Sequence, residues 1–128
     1  MARFPRRSRL LKPPQFRATF AEGRREHGEF LVAVVRATQE DTPRLGLAIA
    51  RKMVPTSVQR NLVKRIVREV FRQRCERLAP CDIVITAKPP ARDAERRRLR
   101  ADVEQLWTRI ERRWPRIAAQ NAAASRTR

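Results

Sequence analysis

The chain has 128 residues, with 31 Lys and Arg against 13 Asp and Glu, and a formal net charge of +18. Its length suits one domain, and a hydrophobic fraction of 41% is too high for a wholly disordered basic tail. No apolar run approaches the ~20 residues that span a bilayer, and no hydrophobic segment follows the basic N-terminus as in a secretory signal.

The first predicted element is a short helix behind a basic arm. Residues 1–12 show no hydrophobic periodicity and are predicted to be a flexible arm. Pro13 and Pro14 suit the first turn of a helix, where a missing N–H costs nothing. Phe16 and Phe20 lie four residues apart on one face of that helix. Their spacing fits equally a pair of core anchors and a pair of rings on a binding surface.

Three apolar segments rich in β-branched residues predict strands. The first two, residues 30–37 and 44–50, are separated by a polar turn and predict an antiparallel hairpin. The third, residues 81–88, ends at two prolines. A further short strand is compatible with residues 24–28.

Two long amphipathic helices flank the third strand. Thr56 followed by Gln59 predicts a capping box at the start of the first one. The second spans residues 92–114, with Trp107 on its apolar face and Trp114 at its partly exposed end.

The order α-β-β-α-β-α predicts an α+β fold in which helices pack on one sheet as a two-layer α/β sandwich. We expect one domain over residues 1–115. Residues 116–128 are rich in Ala, Ser, Asn and Arg and are predicted to be a disordered tail.

The helix that follows Thr56 separates apolar from cationic residues. On a helical wheel, one broad arc contains Val58, Leu62, Val63, Ile66, Val67, Val70 and Phe71. The opposite arc contains Asn61, Lys64, Arg65, Arg68 and Arg72, with Arg60 at its border. Like charges four residues apart cost a helix about 0.2–0.5 kcal/mol per pair, a cost that bound phosphates would offset. The pattern therefore favours a nucleic-acid contact over a merely solvated face.

Positive charge is concentrated in three blocks of the chain. Residues 1–25, 51–77 and 88–116 carry net charges of +7, +7 and +5. Nucleic acid is the expected partner, since a polyanion removes the self-repulsion of such a surface. No helix joins a Lys/Arg face to a Trp/Leu face free to insert into an anionic membrane, so no membrane partner is expected.

The residues needed for protein-based catalysis are scarce. His27 is the sole histidine, and the acids are dispersed, with no carboxylate pair suited to a two-metal site. The chain is therefore predicted to hold no metal and to be non-catalytic by itself. Cys75 and Cys81 are too few for a disulfide framework and are expected to be reduced thiols in a cytoplasmic protein.

Three other classes of protein share part of this pattern. A ribosomal-type structural RNA-binding protein would share the positive charge. A helix-turn-helix DNA-binding protein would need a helix directly before the basic one, where residues 45–50 predict a strand. A stand-alone nuclease would need the acid–base pair that the sequence does not provide.

Four sequence blocks follow one another in an order that matches the motifs of a known family. They are Arg9-Leu10 with Gln15-Phe16-x-x-x-Phe20-x-x-Gly23, then Arg51-Lys52, then Arg60-Asn61-x-x-Lys64-Arg65-x-x-Arg68-Glu69-x-x-Arg72, and last Asp82-Ile-Val-Ile-Thr-Ala-Lys-Pro89. Together they resemble the protein subunit of bacterial ribonuclease P, over about residues 6–112. The sequence departs from the family pattern at Gln15 (usually an acid), Pro55 (commonly Gly) and Leu62 (usually basic).

The resemblance implies both a fold detail and a function. The strand–helix–strand crossover through helix 60–72 would be left-handed, against the usual right-handed rule. The family removes the 5′ leader from precursor tRNA. Its RNA subunit performs the hydrolysis with Mg²⁺, which the RNA mainly holds, while the protein binds that RNA and the leader. One protein per RNA subunit is expected, in the cytoplasm, with no obligate protein partner.

Two RNA surfaces follow. The catalytic RNA is expected to contact Arg51, Lys52, Arg60, Asn61, Lys64, Arg65, Arg68 and Arg72. The leader and precursor tRNA are expected to contact Arg9, Lys12, Phe16, Arg17 and Phe20. Val34 stands on the first predicted strand where an aromatic residue is expected, so the leader surface should be less aromatic than in relatives.

Overall fold

A computed structural model describes residues 12–116. Nearly all of the predicted arm, including Arg9, and of the predicted tail lies outside these residues. Three helices and four strands occur within them: α1 Pro13–Glu22, β1 Arg24–His27, β2 Leu31–Ala37, β3 Arg44–Ala48, α2 Ser57–Arg74, β4 Cys81–Ala87 and α3 Arg96–Arg113. Two 3₁₀ turns, Cys75–Arg77 and Pro89–Asp93, follow α2 and precede α3. The short strand compatible with residues 24–28 is present as β1.

The four strands form one mixed sheet in the order β1-β2-β4-β3. Strand β4 is antiparallel to β2 and parallel to β3, so the predicted hairpin of residues 30–37 and 44–50 is wrong. The physical reason lies in β4, whose first five residues are all buried, as only a strand covered on both faces can be. Helix α2 therefore connects two parallel neighbours. The left-handedness of this crossover stays a prediction from the family resemblance.

The core lies between one face of the sheet and helices α2 and α3. Trp107 is fully buried there, and its ring meets Phe71 edge-on at a centroid distance of 6.1 Å. Trp114 is half-buried at the end of α3, as predicted. Such an aromatic pair adds about 0.5–1.5 kcal/mol beyond the area that it buries.

Helix α1 lies on the opposite face of the sheet, over Val34 and Val84, which are register partners on β2 and β4. Gly23 ends α1 where the chain passes very close to the sheet. A Cβ at this position would lie 2.5 Å from the Thr19 carbonyl oxygen and 2.7 Å from Cγ1 of Val34. A glycine is therefore required for α1 to lie this close to β2.

Both cysteines are free thiols. Cys81 is buried in β4, and burial, reinforced by the nearby Asp82 carboxylate, raises the pKa of its thiol to about 12. The half-buried Cys75 thiol also has a raised pKa, again mainly because of burial. Each thiol therefore stays protonated near neutral pH, where the thiolate is the reactive form.

A buried carboxylate holds the turn between β1 and β2. Asp102 of α3 is 4% exposed and accepts hydrogen bonds from the backbone N–H groups of Glu29 (2.7 Å), Phe30 (2.9 Å) and Leu31 (3.1 Å). A Cβ at Gly28 would lie 2.5 Å from Asp102 Oδ1, so only glycine leaves room for this contact. The three bonds fix α3 to the sheet edge that carries β1.

We expect Asp102→Ala to lower the free energy of unfolding by about 3 kcal/mol, because it leaves buried N–H donors without an acceptor. Urea denaturation monitored by circular dichroism measures this change. Glu104→Ala, which removes an exposed acid from the same helix, is the control and should cost less than about 1 kcal/mol. Equal losses for the two variants would contradict the role assigned to Asp102.

Candidate nucleic-acid interface

Helix α2 begins at a defined N-cap. The hydroxyl of Thr56 accepts a hydrogen bond from the Gln59 backbone N–H at 3.2 Å. The reciprocal half of the predicted capping box is absent, because the Gln59 side chain instead donates to the carbonyls of Ala91 and Ala94, both at 2.9 Å. The first turn of α2 is thereby attached to the 3₁₀ turn before α3, and this attachment sets the orientation of the helix.

The apolar arc of α2 is narrower than the helical wheel predicts. The residues that it buries are Val63, Ile66, Val67, Val70 and Phe71. Leu62 is half-buried, and Val58 is 79% exposed, so the prediction for Val58 is wrong. Val58 lies on the first turn, on the solvent side, where Gln59 takes the inward position.

The cationic arc of α2 faces outward. Asn61, Arg65 and Arg68 are exposed, and Lys64 and Arg72 are half-buried. Arg51 and Lys52, in the turn that follows β3, are also exposed. We call these residues, together with Arg60, the α2 cationic surface. The side chains predicted to contact the catalytic RNA thus lie on α2 and in the turn that precedes it.

The α2 cationic surface has almost no acidic neighbours. Among residues 12–116, Arg51, Lys52, Lys64, Arg65, Arg68 and Arg72 form no ion pair. Glu69, the acid that interrupts the arc in sequence, pairs instead with Arg100 of α3 at 3.0 Å. The surface therefore keeps its full positive charge and can bind phosphates without first breaking internal ion pairs.

Arg60 differs from the other cations of this surface. Its Nη1 donates to the carbonyl oxygens of Val54 at 2.9 Å and Pro55 at 2.8 Å. The guanidinium thus holds the turn between β3 and α2, and this turn carries Arg51 and Lys52. Arg60 has a positioning role in addition to the RNA contact that stays predicted for it. The sequence contains no local signal for this role.

Helix α1 presents the second predicted surface. The rings of Phe16 and Phe20 are half-buried, whereas Lys12 and Arg17 are exposed. Thr19 is the residue of α1 that is fully buried against the sheet. Neither phenylalanine belongs to the hydrophobic core between the sheet and α2 and α3. Both phenylalanines therefore stay partly exposed, which a stacking role for their rings requires.

A row of small side chains lies on the same face of the sheet as α1. Val32, Thr86 and Ala48 are successive register partners across β2, β4 and β3, and all three are half-buried. Val34, where an aromatic residue is expected, is 1% exposed and lies beneath α1. None of these four residues is aromatic. On this face of the sheet, Phe16 and Phe20 of α1 therefore supply the aromatic side chains.

An ion-pair network around the buried Asp82, which the sequence did not predict, connects the sheet to the end of α1. Asp82 is fully buried and binds Arg44 through Nε at 2.7 Å and Nη2 at 2.9 Å. The same carboxylate accepts from Arg36, whose other nitrogen reaches Glu22 at the end of α1 at 3.4 Å. The hydrogen bond to Asp82 raises the pKa of the Arg44 guanidinium. The one available signal in the sequence is that Asp82 is the lone charged residue of β4.

Groups suited to metal binding or acid–base chemistry do not converge. In the part of the chain that the structure describes, no three His, Cys, Asp or Glu residues lie together as a metal site. His27 is exposed on the edge strand β1. What the surface offers is cationic groups for phosphates and rings for bases.

A cationic helix without acidic partners on one side of the sheet, and a partly covered sheet face on the other, are typical of a nucleic-acid-binding α+β domain. The sequence matches the family described as Ribonuclease P over residues 4–111. It is 38% identical to a ribonuclease P protein component of Thioalkalivibrio sulfidiphilus over 107 residues, covering 84% of this chain and 89% of that protein. It is 41% identical to one of Pseudomonas syringae over 113 residues, covering 88% and 85%.

Solved structures agree with this assignment. The RNase P protein of Thermotoga maritima superposes with a TM-score of 0.67 at 28% identity, covering 81% of this chain and 96% of that one. That of Staphylococcus aureus has the same fold, with a TM-score of 0.71 at 24% identity, covering 79% and 93%. The chain therefore belongs to the bacterial ribonuclease P protein family and is a tRNA-processing subunit.

We expect Arg65→Glu with Arg68→Glu to weaken binding of the ribonuclease P RNA by at least about 100-fold, because two phosphate contacts become repulsive. The slope of log affinity against log salt should also become shallower by about 0.7–0.9 for each lost contact. Filter binding over a salt series measures both quantities.

Arg96→Glu with Arg97→Glu is the matched control. These two arginines are exposed on α3 and unpaired within residues 12–116, and the double variant changes the net charge by the same amount. If the control weakens RNA binding as much as the α2 variant, total charge rather than the α2 cationic surface governs binding.

Proposed function

We propose that this chain binds the catalytic RNA of ribonuclease P through the α2 cationic surface and the 5′ leader of precursor tRNA through α1. The observation that carries the proposal is the absence of acidic partners for six cations on and beside α2, while acids pair with arginines elsewhere in residues 12–116. Phosphates of a structured RNA are the ligands that such a surface recognises best.

We further propose that the hydrolysis belongs to the RNA subunit, with one protein bound per RNA. Mg²⁺ would be held mainly by RNA phosphates, and within residues 12–116 no group of His, Cys, Asp and Glu side chains is suited to hold the ion. In this arrangement α2 docks the protein on the catalytic RNA, and α1 holds the leader strand beside the sheet.

The cytoplasm is the proposed compartment, since free thiols fit its reducing conditions. Within residues 12–116, no helix is long and apolar enough to cross a membrane.

The leader contact rests on the two half-exposed rings of α1. Base stacking on an aromatic side chain is worth roughly 1–3 kcal/mol per base and tolerates any sequence. Lys12, the N-cap of α1, and Arg17, on α1 itself, are both exposed and would contact the leader phosphates. The proposed site therefore favours a single strand over a duplex, whose bases are already stacked.

A reconstitution assay tests the proposed function. Precursor tRNA is incubated with the chain alone, with the ribonuclease P RNA alone at low Mg²⁺, and with both. We expect cleavage at the mature 5′ end to be stimulated only in the mixture. Cleavage by the chain alone would show a protein nuclease, and absence of stimulation would favour a structural RNA-binding role.

We expect Phe16→Leu to weaken binding of precursor tRNA with a leader by about 1 kcal/mol or more, while binding of leaderless tRNA stays unchanged. Leucine keeps apolar volume but has no ring to stack, so the thermal midpoint should move little. Fluorescence titration of the reconstituted complex gives the two affinities, and a melting curve controls for folding. A lower midpoint with full affinity for the leader would assign Phe16 to packing.

A further inference from the structure

A cationic cavity lies where α3 meets β1, the edge strand of the sheet. It has a volume of about 350 Å³ and is lined by Glu26 of β1 and by Arg109, Arg112 and Arg113 of α3. The three arginines are spaced i, i+3 and i+4, so they project from one side of the helix. The cavity belongs to the third cationic block of the sequence, to which neither proposed RNA surface assigns a role.

Two of the three guanidinium groups are held in place. Arg113 donates through Nε to Oε2 of Glu26 at 2.9 Å, and Arg109 donates through Nη2 to the backbone carbonyl of His27 at 2.8 Å. Each guanidinium has five N–H donors, so both keep donors for a ligand. Because their positions are fixed beforehand, a bound anion costs little further ordering of these side chains.

The charges around the cavity are unbalanced. Three arginines face one carboxylate, that of Glu26, and Arg112 has no partner within residues 12–116. Glu111, the nearest acid along α3, pairs with Arg74 and Arg77. The negative end of the helix dipole favours Arg112 and Arg113 in the last turn, yet it does not account for their convergence with Arg109 around a cavity.

We propose that this cavity binds a backbone phosphate of RNA, as a third contact in addition to the surfaces on α2 and α1. Its size fits one phosphate with the adjoining sugar, and a cluster of guanidinium groups with free donors is the chemistry that recognises a phosphodiester. None of the four lining residues is aromatic, so the contact reads no base and is independent of sequence.

The position of the cavity indicates that it meets a different RNA segment from the one on α2. Strand β1 is one edge of the sheet and β3, which leads into α2, is the other. The RNA segment at the cavity can therefore differ from the segment that meets the start of α2. This proposal rests on the proposed function, since it takes the RNAs of the ribonuclease P complex as the ligands.

Arg112→Glu is the decisive variant, because Arg112 is exposed and unpaired among the described residues, so the fold should not depend on it. The change makes the cavity neutral overall. We expect an about tenfold loss of affinity for either the catalytic RNA or precursor tRNA, and a salt slope shallower by about 1. The RNA that responds identifies the segment bound, and Arg112→Gln should give a smaller loss of the same kind.

Arg97→Glu provides the matched control, with the same change of charge at an exposed, unpaired position of the same helix. All variants are tested in the reconstituted holoenzyme, with circular dichroism as a check on folding. If the Arg112→Glu variant binds each RNA as tightly as the Arg97→Glu variant does, the cavity site is overturned. The proposed function is still supported in that case, provided that the wild-type chain stimulates cleavage. If the wild type does not stimulate cleavage, the proposed function itself fails.

A titration with inorganic phosphate shows whether the cavity binds a phosphate group of RNA or free inorganic phosphate. We expect the Nε–H resonances of Arg109 and Arg113 to shift with a short RNA oligonucleotide, and inorganic phosphate to compete only weakly. Saturation by submillimolar inorganic phosphate, with RNA affinity unaffected by Arg112→Glu, would show a free-phosphate site and overturn the proposal.

Discussion

The position of each carboxylate decides which basic side chains hold this fold together and which stay available for RNA. Thirteen acids face 31 Lys and Arg residues, so the acids can balance fewer than half of the positive charges. Asp82 joins Arg44 and Arg36 on the sheet, and Glu69 joins Arg100 between α2 and α3. An acid on the outer arc of α2 would form exposed pairs of little stability and would weaken phosphate binding. The lack of acids on the outer arc of α2 therefore favours phosphate binding and costs the fold little stability.

The central position of β4 arranges the two proposed RNA surfaces. Because β4 is buried on both faces, helices must cover the sheet on both sides. Helix α2, which connects β3 to β4, packs with α3 on one face, and α1 crosses the other. The two proposed RNA surfaces thereby lie on different sides of one sheet. A hairpin of neighbouring strands would have left β4 at an edge.

Several polar side chains in this domain act on the position of others. Gln59 attaches α2 to the turn before α3, and Arg60 holds the turn that carries Arg51 and Lys52. Asp102 fixes the β1–β2 turn, beside which Arg109 and Glu26 form the cavity. These bonds are made to backbone carbonyl or N–H groups, so they orient whole segments. RNA contacts at the surface depend on such groups because long basic side chains are otherwise poorly ordered.

The sequence by itself determined the elements, the cationic helix and the family. Hydrophobic periodicity is a local property, so α2 and its outward arginines could be predicted from residues 57–74 alone, as could Trp107 on the inner side of α3. The order of the motifs then pointed to ribonuclease P, which the family match over residues 4–111 confirms.

Only the tertiary structure decided what depends on contacts distant in sequence. The insertion of β4 between β2 and β3, the outward position of Val58, and the bonds of Arg60, Asp82 and Asp102 arise from packing, which no local pattern encodes. The same holds for the charge. Its total and its blocks can be counted along the chain, but which cations stay unpaired depends on which acids lie within reach after folding.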